Sequence, residues 1–203
     1  CLPGQFVHIL CGDGVLLRRP ISICDAGEGW LRFIFAVRGE GTKRLSQHEK
    51  GESLNILGPL GTSFDTGKKG DGVPVVVGGG IGIFPLYYLC RNLRGTAEAI
   101  LGCRTKELVL MEEEFHTVCA DTLIATDDGS CGDQCLVTNP LEEAVRRTPP
   151  DLVLACGPRN MLACIAGILQ RHGIAGQLSI ETTMACGMGA CLGCAVEGRR
   201  DGA

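Results

Sequence analysis

The chain has 203 residues, 45 % of them hydrophobic, and a formal net charge of −4. That length holds one large domain or two small ones, and the composition is far from disorder. The weak negative charge and the absence of any Lys/Arg run exclude a nucleic-acid footprint. The longest apolar runs, residues 73–77 and 81–89, are broken by Gly or Pro and are too short to span a bilayer.

In chain order, residues 5–10, 30–37 and 53–57 alternate in the manner of strands, with Gly-rich turns at 11–14 and 27–29 between them. This pattern predicts a small antiparallel barrel over residues 1–66 whose opening strand began before Cys1. The polar turn 65–72 then breaks the pattern. From Val73 onward strands are predicted at 74–77, 97–102, 121–126, 152–156 and 177–180. Helices are predicted at 84–93, 106–113, 140–147 and 160–171. Strands alternating with helices predict a doubly wound parallel sheet over residues 73–180. Residues 181–203 form a separate cysteine-bearing segment.

Arg18-Arg19-Pro20-Ile21-Ser22-Ile23 follows the first part's early strands. Arg19 can fork onto a pyrophosphate, the Ser22 hydroxyl can meet a flavin edge, and Pro20 keeps the chain extended between them. A surface arginine and an edge proline are the plainer alternative. Gly39-Glu40-Gly41-Thr42 opens a helical segment whose free N–H groups suit a phosphate, or which is simply capped there. Gly78-Gly79-Gly80-Ile81-Gly82 lies between a buried strand and a helix. That is the context a dinucleotide-binding loop requires, and Pro85 in the following first turn costs no hydrogen bond. Asp127 and Asp128 follow the third strand of the second part, where they can hold ribose hydroxyls or only make a turn. Cys156-Gly157-Pro158 follows the fourth, where backbone can approach a nicotinamide ring or the thiol can simply be buried. His8, His48, His116 and His172 share no motif and read as surface or packing side chains. No Ser-His-Asp order, paired catalytic carboxylates or H-E-x-x-H helix is present.

The chain carries 13 cysteines. Most lie in apolar strands and helices, and no secretory signal precedes them, so a reducing, cytoplasmic compartment is expected. Cys90, Cys103, Cys119 and Cys164 read as small buried hydrophobes. Cys186, Cys191 and Cys194 differ: their C-x4-C-x2-C spacing among glycines and alanines is that of plant-type [2Fe–2S] sites. A zinc site would want a second knuckle, and unligated thiols are the remaining alternative. No Cys or His follows Cys194 in the sequence, so a fourth ligand is expected beyond Ala203.

Taken in order, Arg19–Ser22, Gly39–Thr42, Gly58-Pro59-Leu60-Gly61, the glycine loop, Thr126-Asp127-Asp128-Gly129-Ser130, Cys156–Pro158 and the cysteine run resemble the ferredoxin–NADP reductase superfamily. Within it, the match is to electron-transfer subunits of type B dihydroorotate dehydrogenase. The resemblance implies FAD on the barrel, held by Arg19, Pro20, Ile21, Ser22, a strand at Ile34-Phe35-Ala36, and Gly41-Thr42. It implies NAD(H) at Gly79, Gly80, Gly82, Asp127, Asp128 and Cys156-Gly157-Pro158, and a [2Fe–2S] cluster on Cys186, Cys191 and Cys194. It further implies an oxidoreductase component of pyrimidine biosynthesis that passes electrons to an FMN-containing catalytic subunit, without nucleic acid or membrane. A reductase subunit of another complex (hydrogenase, sulfide- or ferredoxin-linked) and a fragment that holds FAD without cluster transfer are the alternatives. The pair Cys131 and Cys135 departs from the family pattern.

Overall fold

The computed structural model describes residues 1–12, 14–67 and 72–197. Asp13 of the first Gly-rich turn, part of the polar turn 65–72 and the end of the cysteine segment lie outside the described residues.

Four strands make the first sheet: β1 (Phe6–Leu10), β2 (Arg19–Gly27), β3 (Trp30–Phe33) and β4 (Asn55–Leu60). Their order is β3-β2-β1-β4, all antiparallel. Helix α1 (Glu40–Leu45) lies between β3 and β4 in the chain. Val7, Ile9, Ile21 and Ile23 point to one face and are buried together with Leu45, as period-2 alternation requires. The longest strand, β2, was hidden in the sequence, because Arg18-Arg19-Pro20 reads as a break. Pro20 sits second in the strand, where a missing N–H is tolerated. The strand predicted at 30–37 stops at Phe33; residues 34–38 run on outside any strand.

The second sheet is parallel, in the order β10-β9-β5-β6-β7-β8. It comprises β5 (Val75–Gly79), β6 (Glu98–Cys103), β7 (Asp121–Thr126), β8 (Asp133–Gln134), β9 (Leu152–Cys156) and β10 (Ala175–Ser179). Its helices are α2 (Ile83–Leu93), α3 (Glu112–Val118), α4 (Thr138–Arg147) and α5 (Arg159–His172). β5 is buried along its whole length because both its faces are covered. Val76 packs with Leu86, Leu89 and Phe115 of α2 and α3. Val75 and Val77 pack with Leu141, Val145, Ile165 and Leu169 of α4 and α5. The predicted helix at 106–113 resolves into a single 3-10 turn at Lys106–Leu108 followed by α3. Glycine ends α5: Gly173 takes φ +66°, a conformation other residues adopt only at a cost.

The two sheets meet through α2. Arg91 near its end reaches Asp25 of β2 at 2.9 Å, donates to the Ala26 carbonyl, and lies 5.8 and 5.4 Å from the ring centres of Trp30 and Tyr88. Asp25 is only 5 % exposed. Cys24 joins the same core and sits 3.8 Å from the Met111 sulfur. Arg91→Ala leaves a buried carboxylate without its cation and is expected to cost about 3 kcal/mol. A shift of the urea midpoint checks this, with no change in slope expected if the fold is otherwise kept.

Candidate functional site

The chain lays down β5 to β8 on one side, then returns to place β9 and β10 on the other side of β5. The switch point therefore lies between β5 and β9, and ligands of such sheets bind outside the carboxyl ends of the strands there. Two of the sequence motifs flank that point: the glycine loop after β5 and Cys156-Gly157-Pro158 after β9.

The glycines do different jobs. A Cβ on Gly82 would lie 2.5 Å from the Cys156 carbonyl oxygen and 2.6 Å from the Gly157 nitrogen. Glycine there lets the two motifs touch backbone to backbone. A Cβ on Gly79 would collide with the Met161 sulfur, and one on Gly78 would crowd Ile83. Gly80 alone in the loop has φ +54° with open space around its Cβ position, and it is exposed. Gly80 is thus the glycine of the loop turned to solvent, beside exposed Ile81, and the other glycines keep the helix and the second motif close. Cys156 is buried among core side chains, and burial pushes its thiol up to about 11. Any ligand approaching this motif meets its backbone at Gly157 and Pro158, not the thiol. Met161, absent from the sequence reading, lies across Gly79 and Gly157 from the first turns of α5. Its only signal is an unbranched apolar residue one turn after Pro158.

The aspartate pair splits. Asp128 accepts hydrogen bonds from the Ser130 backbone N–H (3.0 Å) and hydroxyl (2.6 Å), so its carboxylate serves its own turn. Those bonds hold its pKa below the usual carboxylate value. Asp127 is exposed and makes no side-chain hydrogen bond among the described residues. Exposed Arg104 and Lys106 follow β6 beside this turn, and the Arg104 carbonyl accepts the Asp128 N–H. They were overlooked because Arg and Lys after a strand read as ordinary surface.

On the first sheet, Arg19 and Gly41 come together. The Arg19 guanidinium is held by the Leu17 carbonyl at 2.7 Å, and its Nε lies 2.7 Å from where a Gly41 Cβ would be. Pro20 and Ser22 share the face opposite to buried Ile21. The Thr42 hydroxyl accepts from the Arg38 and Gly39 N–H groups at 2.8 and 3.2 Å, so it fastens the start of α1. Ile34 and Phe35 lean into the cores, and Ala36 is half-buried.

Cys186, Cys191 and Cys194 occupy one loop. Among the described residues no three His, Cys, Asp or Glu side chains are gathered as a metal-binding set. The loop's backbone nevertheless suits thiolate sulfur. The Cys191 N–H points at the Cys186 sulfur at 3.4 Å. With the N–H of Met188 it leads the contacts that bring the Cys186 thiol down to about 6. Backbone amides converging on a thiolate are what an iron–sulfur site asks of its loop, so these residues fit the group. Of the thiols read as buried, Cys90 and Cys103 are, Cys119 is half-buried, and Cys164 is exposed on α5. The helical periodicity of α5 places Cys164 on its outer face. Cys131 and Cys135 are half-buried.

No protein-family model matches the chain. Similar curated proteins are the electron transfer subunits of dihydroorotate dehydrogenase B (NAD(+)) from Caldanaerobacter subterraneus subsp. tengcongensis and Geobacillus kaustophilus. The first is 38 % identical over 201 residues, covering 98 % of this chain and 78 % of that protein. The second is 40 % identical over 200 residues, covering 95 % and 76 %. The chain belongs to this family of electron-transfer subunits. Among solved structures, an NADH-dependent reduced ferredoxin–NADP oxidoreductase matches with a TM-score of 0.85 and 29 % identity, over 96 % of this chain and 71 % of that one. The FAD/NAD-binding domain of a Vibrio cholerae nitric oxide dioxygenase shares the fold at a TM-score of 0.68 and 18 % identity, over 88 % of this chain and 85 % of that one. Family membership makes the chain an oxidoreductase component, and no helix among the described residues is long and apolar enough to cross a membrane.

Gly82→Ala must push the glycine loop off the Cys156–Gly157 backbone, an overpacking expected to cost about 1–3 kcal/mol. Gly80→Ala meets no neighbour and is expected to cost about 1 kcal/mol, from its left-handed backbone alone. Thermal unfolding and dinucleotide titration of both variants check the ranking.

Proposed function

We propose that this chain carries electrons between NADH, FAD and a [2Fe–2S] cluster, and on to an FMN-containing dihydroorotate dehydrogenase catalytic subunit in pyrimidine biosynthesis. The observation that carries the flavin half is the Arg19 guanidinium lying over the Gly41 backbone. FAD bound here would supply a two-electron acceptor for the hydride of NADH and a one-electron donor to the cluster. The protein's part is placement and electrostatics, so no acid–base residue is needed.

Arg19 supplies the fork that pairs with the pyrophosphate. Pro20, Ile21 and Ser22 would keep the segment extended for the flavin, and Ile34, Phe35, Ala36 and Thr42 would complete the residues that hold it. Gly79, Gly80 and Gly82 with Gly157 and Pro158 form the backbone seat of NADH. Asp127 is the carboxylate for the ribose, since Asp128 is taken up by Ser130. Cys186, Cys191 and Cys194 give three of the cluster's thiolates. By this reading residues 1–66 are the flavin barrel, 73–180 the nucleotide domain and 181–203 the cluster segment. We place the protein in the cytoplasm, where thirteen unpaired thiols stay reduced.

Replacing Arg19 by Ala removes a charge-assisted contact of roughly 1.5–3 kcal/mol, so FAD affinity is expected to fall about ten- to a hundredfold. Fluorescence titration of the apoprotein with FAD measures it, and undiminished affinity would remove Arg19 from the site. NADH is expected to reduce the flavin faster than NADPH, because Asp127 repels a 2′-phosphate. Arg104 and Lys106 nearby oppose that repulsion. Stopped-flow bleaching with each nucleotide decides, and equal or reversed rates reject the preference.

A further inference from the structure

β1 alternates. Val7 and Ile9 enter the first sheet's core, so Phe6, His8 and Leu10 face the other way. Leu10 on that face is 36 % exposed, yet His8 is only 1 % exposed. His8 pairs with Pro20 of β2, and directly opposite residues of an antiparallel pair share a face. The imidazole therefore stands beside the segment Arg19–Ser22.

What covers it is the cysteine loop. A Cβ on Gly187 would lie 2.6 Å from both Cε1 and Nε2 of His8, and Gly187 takes φ +69°. The tip of the imidazole is thus pressed against the residue that immediately follows Cys186. Only glycine allows both the backbone turn and this approach. At that tip the Nε2 atom is buried and has no hydrogen-bond partner among the described residues. Leaving a buried donor or acceptor unpaired costs about 1–3 kcal/mol, so such an atom calls for a partner. The loop above it is the one whose backbone already converges on thiolate sulfur.

We propose that His8 is a positioning residue of the iron–sulfur segment: it seats the 186–194 loop beside the flavin strand, and its Nε2–H donates to a sulfur of the cluster that the loop holds. This rests on the cluster reading given above. A hydrogen bond to sulfur favours the reduced, more negative cluster and so raises its potential.

The test uses the intact electron-transfer protein loaded with FAD and cluster. His8→Phe keeps a ring of similar size and loses the donor. His8→Gln places an amide nitrogen at the same distance from the backbone and restores it. An EPR-monitored redox titration should show the oxidised-to-reduced ratio of the cluster moving about tenfold toward oxidised in His8→Phe, ~59 mV for a one-electron couple. Most of that shift should return in His8→Gln. Full iron and sulfide content with an unmoved potential in His8→Phe would overturn the proposal. Should His8→Phe fail to load, pulsed EPR of the unsubstituted protein carrying 15N-histidine decides. A weak nitrogen coupling to the reduced cluster is expected. No coupling, or the strong coupling of a direct ligand, overturns the proposal. An unsubstituted protein without iron or sulfide would instead remove the cluster reading itself, and this inference with it.

Discussion

The ion pair between Asp25 and Arg91 ties the strand that carries Arg19 to the helix that follows the glycine loop. Each of its partners is the far end of an element whose near end lies in a site. β2 begins at Arg19 and reaches Asp25 six residues later. α2 begins beside the glycine loop and reaches Arg91 two turns on. At about 1.5 Å per helical residue and about 3.3 Å per strand residue, the pair lies roughly 12 Å from the loop and roughly 20 Å from the arginine. That joint, with the Arg32–Glu114 pair and the Asp65–Gln177 hydrogen bonds, holds how the two sites face each other. A buried carboxylate is a costly choice for a joint when apolar packing would serve. It has the merit of direction: Arg91 must meet Asp25, the Ala26 carbonyl and two rings at once, and a sliding apolar contact has no such requirement.

What the sequence disclosed and what it withheld divide along the range of the interactions involved. The second sheet was legible because local rules govern it. A buried strand, a cluster of glycines and a helix with proline in its first turn follow one another between residues 75 and 93. No distant residue is needed to read them. β2 was missed because its arginines and proline contradict strand propensity, and only pairing with β1 and β3 overrides that. The expected strand at Ile34-Phe35-Ala36 has the right composition but pairs with no strand among the described residues. Cys164 was misjudged on residue type, since which face of a helix is covered depends on its neighbours.

The candidate site was legible as motifs and illegible as roles. Glycines that look alike in sequence turn out to be packing positions at Gly78, Gly79 and Gly82 and an open position at Gly80. Two adjacent aspartates look equivalent until one is found bonded to Ser130. His8 carried no motif at all. It becomes informative only once a loop 179 positions later is seen to cover it, a contact no periodicity can announce.

The thiols give the same lesson in electrostatic form. Burial pushes Cys24, Cys103 and Cys156 up to about 11, so at neutral pH they are protonated, inert fillers of the core. Cys186 stands near the surface under converging backbone N–H groups and comes down to about 6. Identical side chains are sorted by desolvation on one side and by oriented amides on the other. For Cys186 the direction suits the cluster role proposed for it, because sulfur that is to bind metal has to shed its proton first. Burial thus keeps these interior thiols protonated, while backbone N–H groups act on Cys186.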